Sequence, residues 1–222
     1  MGYFSYYLGW ILLTYLVQYP PLLVGLVVLF VLRRFVPDPW VLFRTMGRIQ
    51  ALRRQIDANP ANVTARRDLA MVYVERLRPG RALELLDEAR KRFPDDAELL
   101  YLSGLAQFKR RDYEKALEPL VKSVQMDPRV RFGEPYLVAG DALRKLGRDE
   151  EAIDAYERFV STNSSSIEGH VKLALAFRAT KDEAAAKKAL DEAFATWGQI
   201  PGYKRRKELQ WWLYAWICRL FV

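Results

Sequence analysis

The sequence is poor in the residues that carry most metal, redox and acid–base chemistry. Among 222 residues it has one histidine, His170, and one cysteine, Cys218. A lone cysteine cannot form a disulfide within the chain, and no Cys or His cluster has the spacing of a zinc site. No glycine-rich phosphate loop occurs either. We therefore expect no metal, no cofactor, no catalytic residue and no enzyme activity, with His170 packed or hydrogen-bonded and Cys218 inert.

Charge is missing from the first 32 residues. The apolar run from Leu8 to Leu32 is long enough, at about 1.5 Å per residue, to cross a hydrocarbon core of about 30 Å as a tilted helix. We predict a transmembrane anchor over residues 1–35, kinked at Pro20-Pro21. A hairpin of two short spans is the alternative, and a cleavable signal peptide is disfavoured because no basic residue precedes the run. The residues expected at the membrane interface are Tyr3, Tyr7, Trp10, Arg33 and Arg34.

Positive charge is concentrated at the two ends of the remaining chain. Residues 33–54 contain six arginines and one aspartate, and residues 199–222 contain five basic residues and one glutamate. The positive-inside rule then places the N-terminus outside and the rest of the chain in the cytoplasm. Such ends attract anionic lipid headgroups. A nucleic-acid binder would carry its positive charge along a groove, so we expect no nucleic-acid partner.

A fixed spacing of small residues organises the chain between Pro60 and Gly198. In four places a glycine or alanine lies twelve positions before an alanine, and these alanines follow one another at intervals of 34, 36 and 34 residues. A period of this length is typical of a solenoid in which each repeat is a pair of antiparallel helices. The pairs are Ala70 and Ala82, Gly104 and Ala116, Gly140 and Ala152, and Ala174 and Ala186.

On these residues the chain resembles the tetratricopeptide repeat superfamily over residues 60–200. The resemblance implies an all-α solenoid of four repeats at about 60–93, 94–127, 128–163 and 164–198. The third unit departs from the pattern by two extra residues around Arg131-Phe132-Gly133-Glu134-Pro135. The layout is also similar to bacterial membrane-anchored repeat proteins that organise envelope assembly, so we expect a single-pass protein of the bacterial inner membrane.

A helix is predicted at each end of the repeats. Residues 36–59 are interpreted as a linker and an N-terminal capping helix over 39–58. Residues 201–222 are interpreted as a basic and aromatic C-terminal helix that is apolar on every side. It either caps the last repeat or contacts the membrane, and the sequence leaves both possibilities open. Its candidate interface residues are Lys204, Arg205, Arg206, Trp211, Trp212 and Trp216.

In repeats that this array resembles, the first helix of each unit lines a concave groove. The groove implied here is apolar toward the first two repeats and mixed in charge toward the last two. It suits an extended or helical peptide with apolar anchors and some acidic residues. The alternative for each groove residue is packing between neighbouring helices. The resemblance places twelve side chains in the groove: Arg67, Met71, Val74, Tyr101, Leu105, Phe108, Leu137, Asp141, Arg144, Val171, Leu175 and Arg178.

Together these patterns predict a membrane-anchored adaptor or scaffold for one or more membrane-associated proteins, without a small-molecule substrate. It would be a subunit or assembly factor of a membrane complex. A chaperone-tail partner is disfavoured, because Arg67 and Met71 stand where repeats of that subgroup carry a Lys and an Asn. The alternative function is a structural membrane subunit that binds through its span and its C-terminal helix. A regulator of a membrane enzyme is a third class, which leaves no signal in the sequence.

Overall fold

The structure, a computed structural model, describes residues 18, 19, 21 and 39–220. Apart from those first three positions, the anchor predicted over residues 1–35 lies outside the described residues, and so do all five of its interface residues. In the part of the chain that is described, none of the helices has the length and apolar character needed to cross a bilayer.

Residues 39–220 form ten α-helices and one 3₁₀ helix, with no β-strand among them. The first helix is followed by four antiparallel pairs and a last single helix, which confirms the predicted all-helical solenoid. The helices are α1 Pro39–Ala58, α2 Val63–Glu75, α3 Pro79–Arg90, α4 Ala97–Lys109, α5 Tyr113–Met126, α6 Glu134–Lys145, α7 Asp149–Thr162, α8 Ile167–Ala179, α9 Glu183–Gln199 and α10 Gly202–Arg219, and the 3₁₀ helix is Val130–Gly133.

The small-residue pairs let the two helices of a repeat approach closely. A Cβ atom built on Gly104 would lie 2.5 Å from Leu120 Cγ, and one built on Gly140 would lie 2.5 Å from Tyr156 Cε1. Both distances are well below van der Waals contact, so only glycine fits while Leu120 and Tyr156 stay in place. The spacing seen in the sequence therefore records contacts between the two helices of a repeat.

The first helix of the third repeat begins differently from the other three. Asn62, Asp96 and Ser166 each cap their helix with a side-chain oxygen that accepts a backbone N–H three residues on. Such caps satisfy one of the unpaired N–H groups of a helix start. At α6 the cap position is Gly133 with φ +80°, which follows the 3₁₀ helix. The two-residue insertion thus replaces a side-chain cap by a left-handed turn.

The hydrophobic core runs the length of the array in two clusters. The first extends from Ile49 and Leu52 of α1 to Val138 and Ala139 of α6. The second begins at Leu143 and ends at Ala215 and Cys218 of α10. Burial there raises the pKa of the Cys218 thiol, as expected for an inert packed cysteine. Both end helices therefore cover the open faces of the terminal repeats, as the ends of a solenoid require.

Candidate functional site

A chain of polar contacts crosses the face made by the first helices of the repeats. Arg67 donates to Glu98 Oε2 at 2.6 Å, and Glu98 Oε1 lies 3.5 Å from Nη1 of Arg131. Arg131 Nε in turn lies 3.6 Å from Glu134 Oε2, and the hydroxyl of Tyr101 donates to the same oxygen at 2.7 Å. These five residues join α2, α4, the 3₁₀ helix and α6, and we call them the charged ladder. About a third or less of each Arg67, Glu98 and Arg131 side chain is exposed.

Tyr101 is the neutral end of the charged ladder. Burial, and then the neighbouring Glu134 carboxylate, raise the pKa of its hydroxyl well above the usual value. The hydroxyl therefore stays protonated and donates to Glu134 at any physiological pH. The ladder can therefore position a polar ligand, with the Tyr101 hydroxyl as a fixed donor.

The inserted segment carries Arg131 onto this face and leaves the neighbouring Phe132 exposed. Both have left-handed backbones, with φ +50° and +56°, which is a costly conformation for residues with large side chains. The Arg131 guanidinium carbon lies 5.8 Å from the centre of the Tyr101 ring, and Nη2 lies 3.7 Å from Met71 Sδ. The Phe132 side chain is 79% exposed. The backbone strain thus directs one side chain across the first two repeats and the other into solvent.

The last two repeats share a second, smaller polar cluster. Lys172 of α8 donates to Asp141 Oδ2 at 2.7 Å, and the hydroxyl of Tyr156 donates to Asp141 Oδ1 at 2.7 Å. Lys172 also lies 2.7 Å from Glu168, and its Nζ lies 5.4 Å from the centre of the Trp211 ring. This cluster links repeats three and four to α10.

The twelve predicted groove residues lie at three levels of burial. Val74, Tyr101 and Val171 are buried, and Arg178 is exposed. Met71, Leu105 and Phe108 are partly buried and pack against the first core cluster. The remaining partly buried members are Arg67, Leu137, Asp141, Arg144 and Leu175. The surface open to a ligand is therefore the part-buried set together with Arg178, and the three buried side chains support it from below.

Glu98, Arg131 and Glu134 belong to the same face but were not predicted, and neither was the exposed Phe132 that follows Arg131. Glu98 lies one helical turn before the positions that the repeat pattern assigns to the groove. The other three come from the insertion, which breaks the period and so falls outside any rule based on it. The one signal that could have found them is the insertion itself, placed between two repeats.

His170 has a structural role. It is buried, and its Nε2 atom lies 3.1 Å from the Ser164 carbonyl oxygen, to which it donates. This confirms the packed and hydrogen-bonded histidine expected from the sequence. Within the described ranges, no group of three or more His, Cys, Asp or Glu side chains is placed to hold a metal ion.

A cleft of about 650 Å³ lies between α5 on one side and α6 and α7 on the other. Its lining includes the apolar residues Leu117, Val121 and Leu143. At its rim, Arg148 donates to both carboxylate oxygens of Glu151 at 2.6 Å, and this bond holds the pKa of Glu151 below its usual range. The rim charges neutralise each other, so the cleft shows no charge preference for a ligand.

Four of the predicted C-terminal interface residues bind the last repeat. Lys204 donates to Ser165 Oγ at 2.6 Å, and Arg205 donates to the carbonyl oxygens of Ile200 and Gly198 at 3.0 Å. The rings of Trp212 and Trp197 stack at 4.9 Å, and Trp211 lies beside Lys172. Arg206 is exposed and Trp216 is half-exposed, edge-on to Phe194 at 5.6 Å. The inward side of α10 is therefore a cap.

The ionisation of Glu208 affects how firmly α10 caps the last repeat. It is half-buried on α10, and its Oε2 accepts the Glu168 backbone N–H at the start of α8, at 3.2 Å. Burial raises its pKa despite that bond. A carboxyl group whose pKa is higher in the folded than in the unfolded state makes the fold less stable as the pH rises above the unfolded-state pKa of about 4.3. We expect Glu208→Gln, which keeps the acceptor, to raise the urea midpoint at neutral pH, with the gain vanishing near about pH 4.

The matched control is Glu192→Gln, since Glu192 is exposed on α9. It should leave the midpoint unchanged at both pH values. A gain for Glu208→Gln that is equal at neutral and acidic pH would show that its ionisation is not what weakens the cap.

Comparisons with known proteins agree with this fold. Residues 67–129 and 133–165 match tetratricopeptide repeat family models. A crystal structure of MamA is similar with a TM-score of 0.63 and 24% identity, over 69% of this chain and 88% of that one. A structure of MamA from residue 41 to its end, from Desulfovibrio magneticus RS-1, has a TM-score of 0.54 and 22% identity, over 60% of this chain and 75% of that one. No curated protein matches the chain. These two stretches are thus similar to tetratricopeptide repeats, and at these identities the likeness to MamA is one of fold.

Proposed function

We propose that this chain is a membrane-anchored adaptor whose tetratricopeptide solenoid holds a protein partner as a subunit or assembly factor of a membrane complex. The observation that carries the proposal is the face made by α2, α4, α6 and α8. Part-buried apolar side chains lie there beside paired charges of both signs. A face of this kind can bind a peptide by apolar anchors and select it by polar contacts, without any catalytic step.

The charged ladder indicates the chemistry of the partner. Arg67 and Arg131 both contact the Glu98 carboxylate and both stay partly exposed, so the same two cations can also contact a carboxylate of a partner. Met71, Leu105 and Phe108 lie next to the ladder and offer part-buried apolar contacts. We therefore expect an extended or helical segment with apolar anchors flanked by acidic residues, rather than a nucleic acid or a small molecule.

The membrane part of the proposal rests on the sequence. The first 32 residues carry no charge, and six arginines follow them before residue 55. This pattern favours one span with the N-terminus outside and the repeats on the cytoplasmic side, as in a bacterial inner-membrane protein. The partner would then be a membrane-associated protein.

The test combines Met71→Ala, Leu105→Ala and Phe108→Ala in the full chain and measures the partners recovered from gentle-detergent extracts by mass spectrometry. We expect the triple variant to lose the partner that the wild-type chain recovers, because interface anchors cost about 2 kcal/mol or more each when truncated. Circular dichroism verifies that the variant remains helical.

The matched control combines Leu85→Ala, Leu117→Ala and Ile153→Ala, which are also part-buried apolar residues but lie on α3, α5 and α7. It removes a similar amount of packing from the second helices of the repeats and should keep the partner. If both triples lose the partner, the effect is one of stability. If neither loses it, the groove does not bind it.

A structural membrane subunit that binds through its span and α10 is the second candidate. It is favoured by the apolar residues that α10 leaves exposed, among them Leu213 and Ile217. Deletion of residues 209–222 distinguishes the two. Loss of the partner on this deletion, together with its retention in the groove triple, would favour the second candidate.

A further inference from the structure

Helix α10 is apolar on two opposite sides. One side packs on α8 and α9 and buries Ala215 and Cys218. Five large apolar residues spaced at i, i+4, i+7, i+8 and i+11 share another face of the helix, at whose edge Trp216 still contacts Phe194 of α9. We call this face the outward stripe. Its members are between 44% and 77% exposed: Leu209, Leu213, Trp216, Ile217 and Leu220.

An exposed stripe of this size needs a cover. Scattered exposed apolar residues are ordinary on protein surfaces, but contiguous apolar patches mark sites of interaction with proteins or membranes. Here four members follow one another along a single 18-residue helix, and the fifth, Leu220, is its C-cap residue. Tyr203 and Tyr214, which are also exposed, lie along the margin of the stripe. Tyrosine and tryptophan side chains, with an apolar body and a polar tip, are those found at membrane–water interfaces.

The charges around the stripe indicate what covers it. The one acidic residue of α10, Glu208, points inward and accepts from the start of α8. Arg206 and Lys207 are exposed at the beginning of the helix, and neither forms an ion pair with any part of the chain that the structure describes. Lys204 and Arg205 donate to neutral oxygens and not to carboxylates. A surface that is apolar and positive, with no exposed carboxylate on its own helix, is complementary to anionic lipid.

We propose that α10 lies in the headgroup region of an anionic bilayer, with its outward stripe against the acyl chains and its other side capping the fourth repeat. This inference deepens the proposed function and rests on it for the identity of the membrane, which would be the one that residues 8–32 cross. The solenoid would then be attached at both ends. Two attachments would hold the array along the bilayer and fix the direction in which α2, α4, α6 and α8 face.

The test places a fluorophore on the stripe of the full chain. Cys218→Ala removes the native thiol, and Leu213→Cys then carries the label. The protein is reconstituted into vesicles of phosphatidylglycerol and phosphatidylcholine that contain brominated acyl chains. We expect quenching several-fold stronger than for a label at Lys187→Cys, an exposed position on α9. Adding Arg206→Glu and Lys207→Glu, or replacing the anionic lipid by phosphatidylcholine, should reduce the quenching to the level of the control.

Flotation after a carbonate wash reports on the anchor separately. Chain that floats while the label at 213 is quenched no more than that at 187 would overturn the inference and leave the anchor in place. Chain that is stripped by carbonate, yet quenched at 213 in anionic vesicles before the wash, would support the inference for α10 and contradict the transmembrane anchor. A label at 213 that becomes protected only when a membrane-protein extract is added would show that a protein covers the stripe, and would also overturn the inference.

Discussion

The Tyr156→Ala variant is expected to lose about 3–5 kcal/mol of unfolding free energy, as for other large aromatic truncations in cores. Tyr156 is 1% exposed, and its ring fills the space beside Gly140 between the two helices of the third repeat. Its hydroxyl also donates to Asp141, so the substitution removes one of the two groups that hold this carboxylate. Urea unfolding of the full chain in mild detergent, followed by circular dichroism and by tryptophan fluorescence, measures the loss.

The contact between Gly140 and the Tyr156 ring predicts that Gly140→Ala changes the free energy of unfolding in opposite directions with and without the tyrosine. In the wild-type chain, Gly140→Ala should destabilise by about 1–3 kcal/mol, because the new methyl group would overlap the Tyr156 ring. In the Tyr156→Ala background that overlap is gone, and the same change should stabilise by about 0.4–1 kcal/mol, as at any unstrained helical glycine. Gly80→Ala is the control, because nothing lies within 4 Å of an added Cβ there.

A Gly140→Ala effect of the same sign in both backgrounds would mean that the two helices adjust their separation. The glycine would then not be required by the tyrosine. Coincident transitions by the two probes are needed for these free energies, since long repeat arrays can unfold in parts.

The contrast between repeats and insertion shows what the sequence can and cannot predict. Gly104 and Ala116 are twelve residues apart because two consecutive helices meet there, so a local pattern records a local contact. The capping helix over 39–58 follows in the same way from apolar spacing between a proline start and a proline stop. The contact of Glu98 with Arg131 does not, because Arg131 reaches Glu98 only through two left-handed residues, and residue spacing does not encode the sign of φ.

The two sides of α10 are a second feature that the sequence alone does not predict. The sequence shows that apolar residues surround this helix, but it cannot divide them between cap and surface. That division depends on where α8 and α9 lie. The structure assigns Trp211 and Trp212 to the packed side and Leu213 and Ile217 to the outward stripe. Lys204 and Arg205 lie with the cap for the same reason.

Stability and binding are expected to move in opposite directions in Phe132→Gly. Phe132 holds a left-handed backbone at φ +56° and is 79% exposed, so it contributes little packing. Relief of left-handed strain gains about 1–2 kcal/mol, and the extra freedom of glycine in the unfolded chain costs about 0.5–1 kcal/mol. The variant should therefore be as stable as the wild type or slightly more so. If the partner is bound beside the charged ladder, loss of an exposed aromatic anchor there should weaken capture by about 2 kcal/mol, which is roughly 30-fold.

Leu77→Gly separates the two effects. Leu77 has φ +54° and is 43% exposed in the turn between α2 and α3, so glycine relieves similar strain there without removing a side chain next to Arg131. It should match Phe132→Gly in urea stability and keep full affinity for the partner recovered by the wild-type chain. Equal affinity in both variants would remove Phe132 from the binding face. A clear loss of stability in Phe132→Gly alone would mean that the aromatic ring holds the insertion in place. That role would account for a phenylalanine in a strained and exposed position without any protein partner.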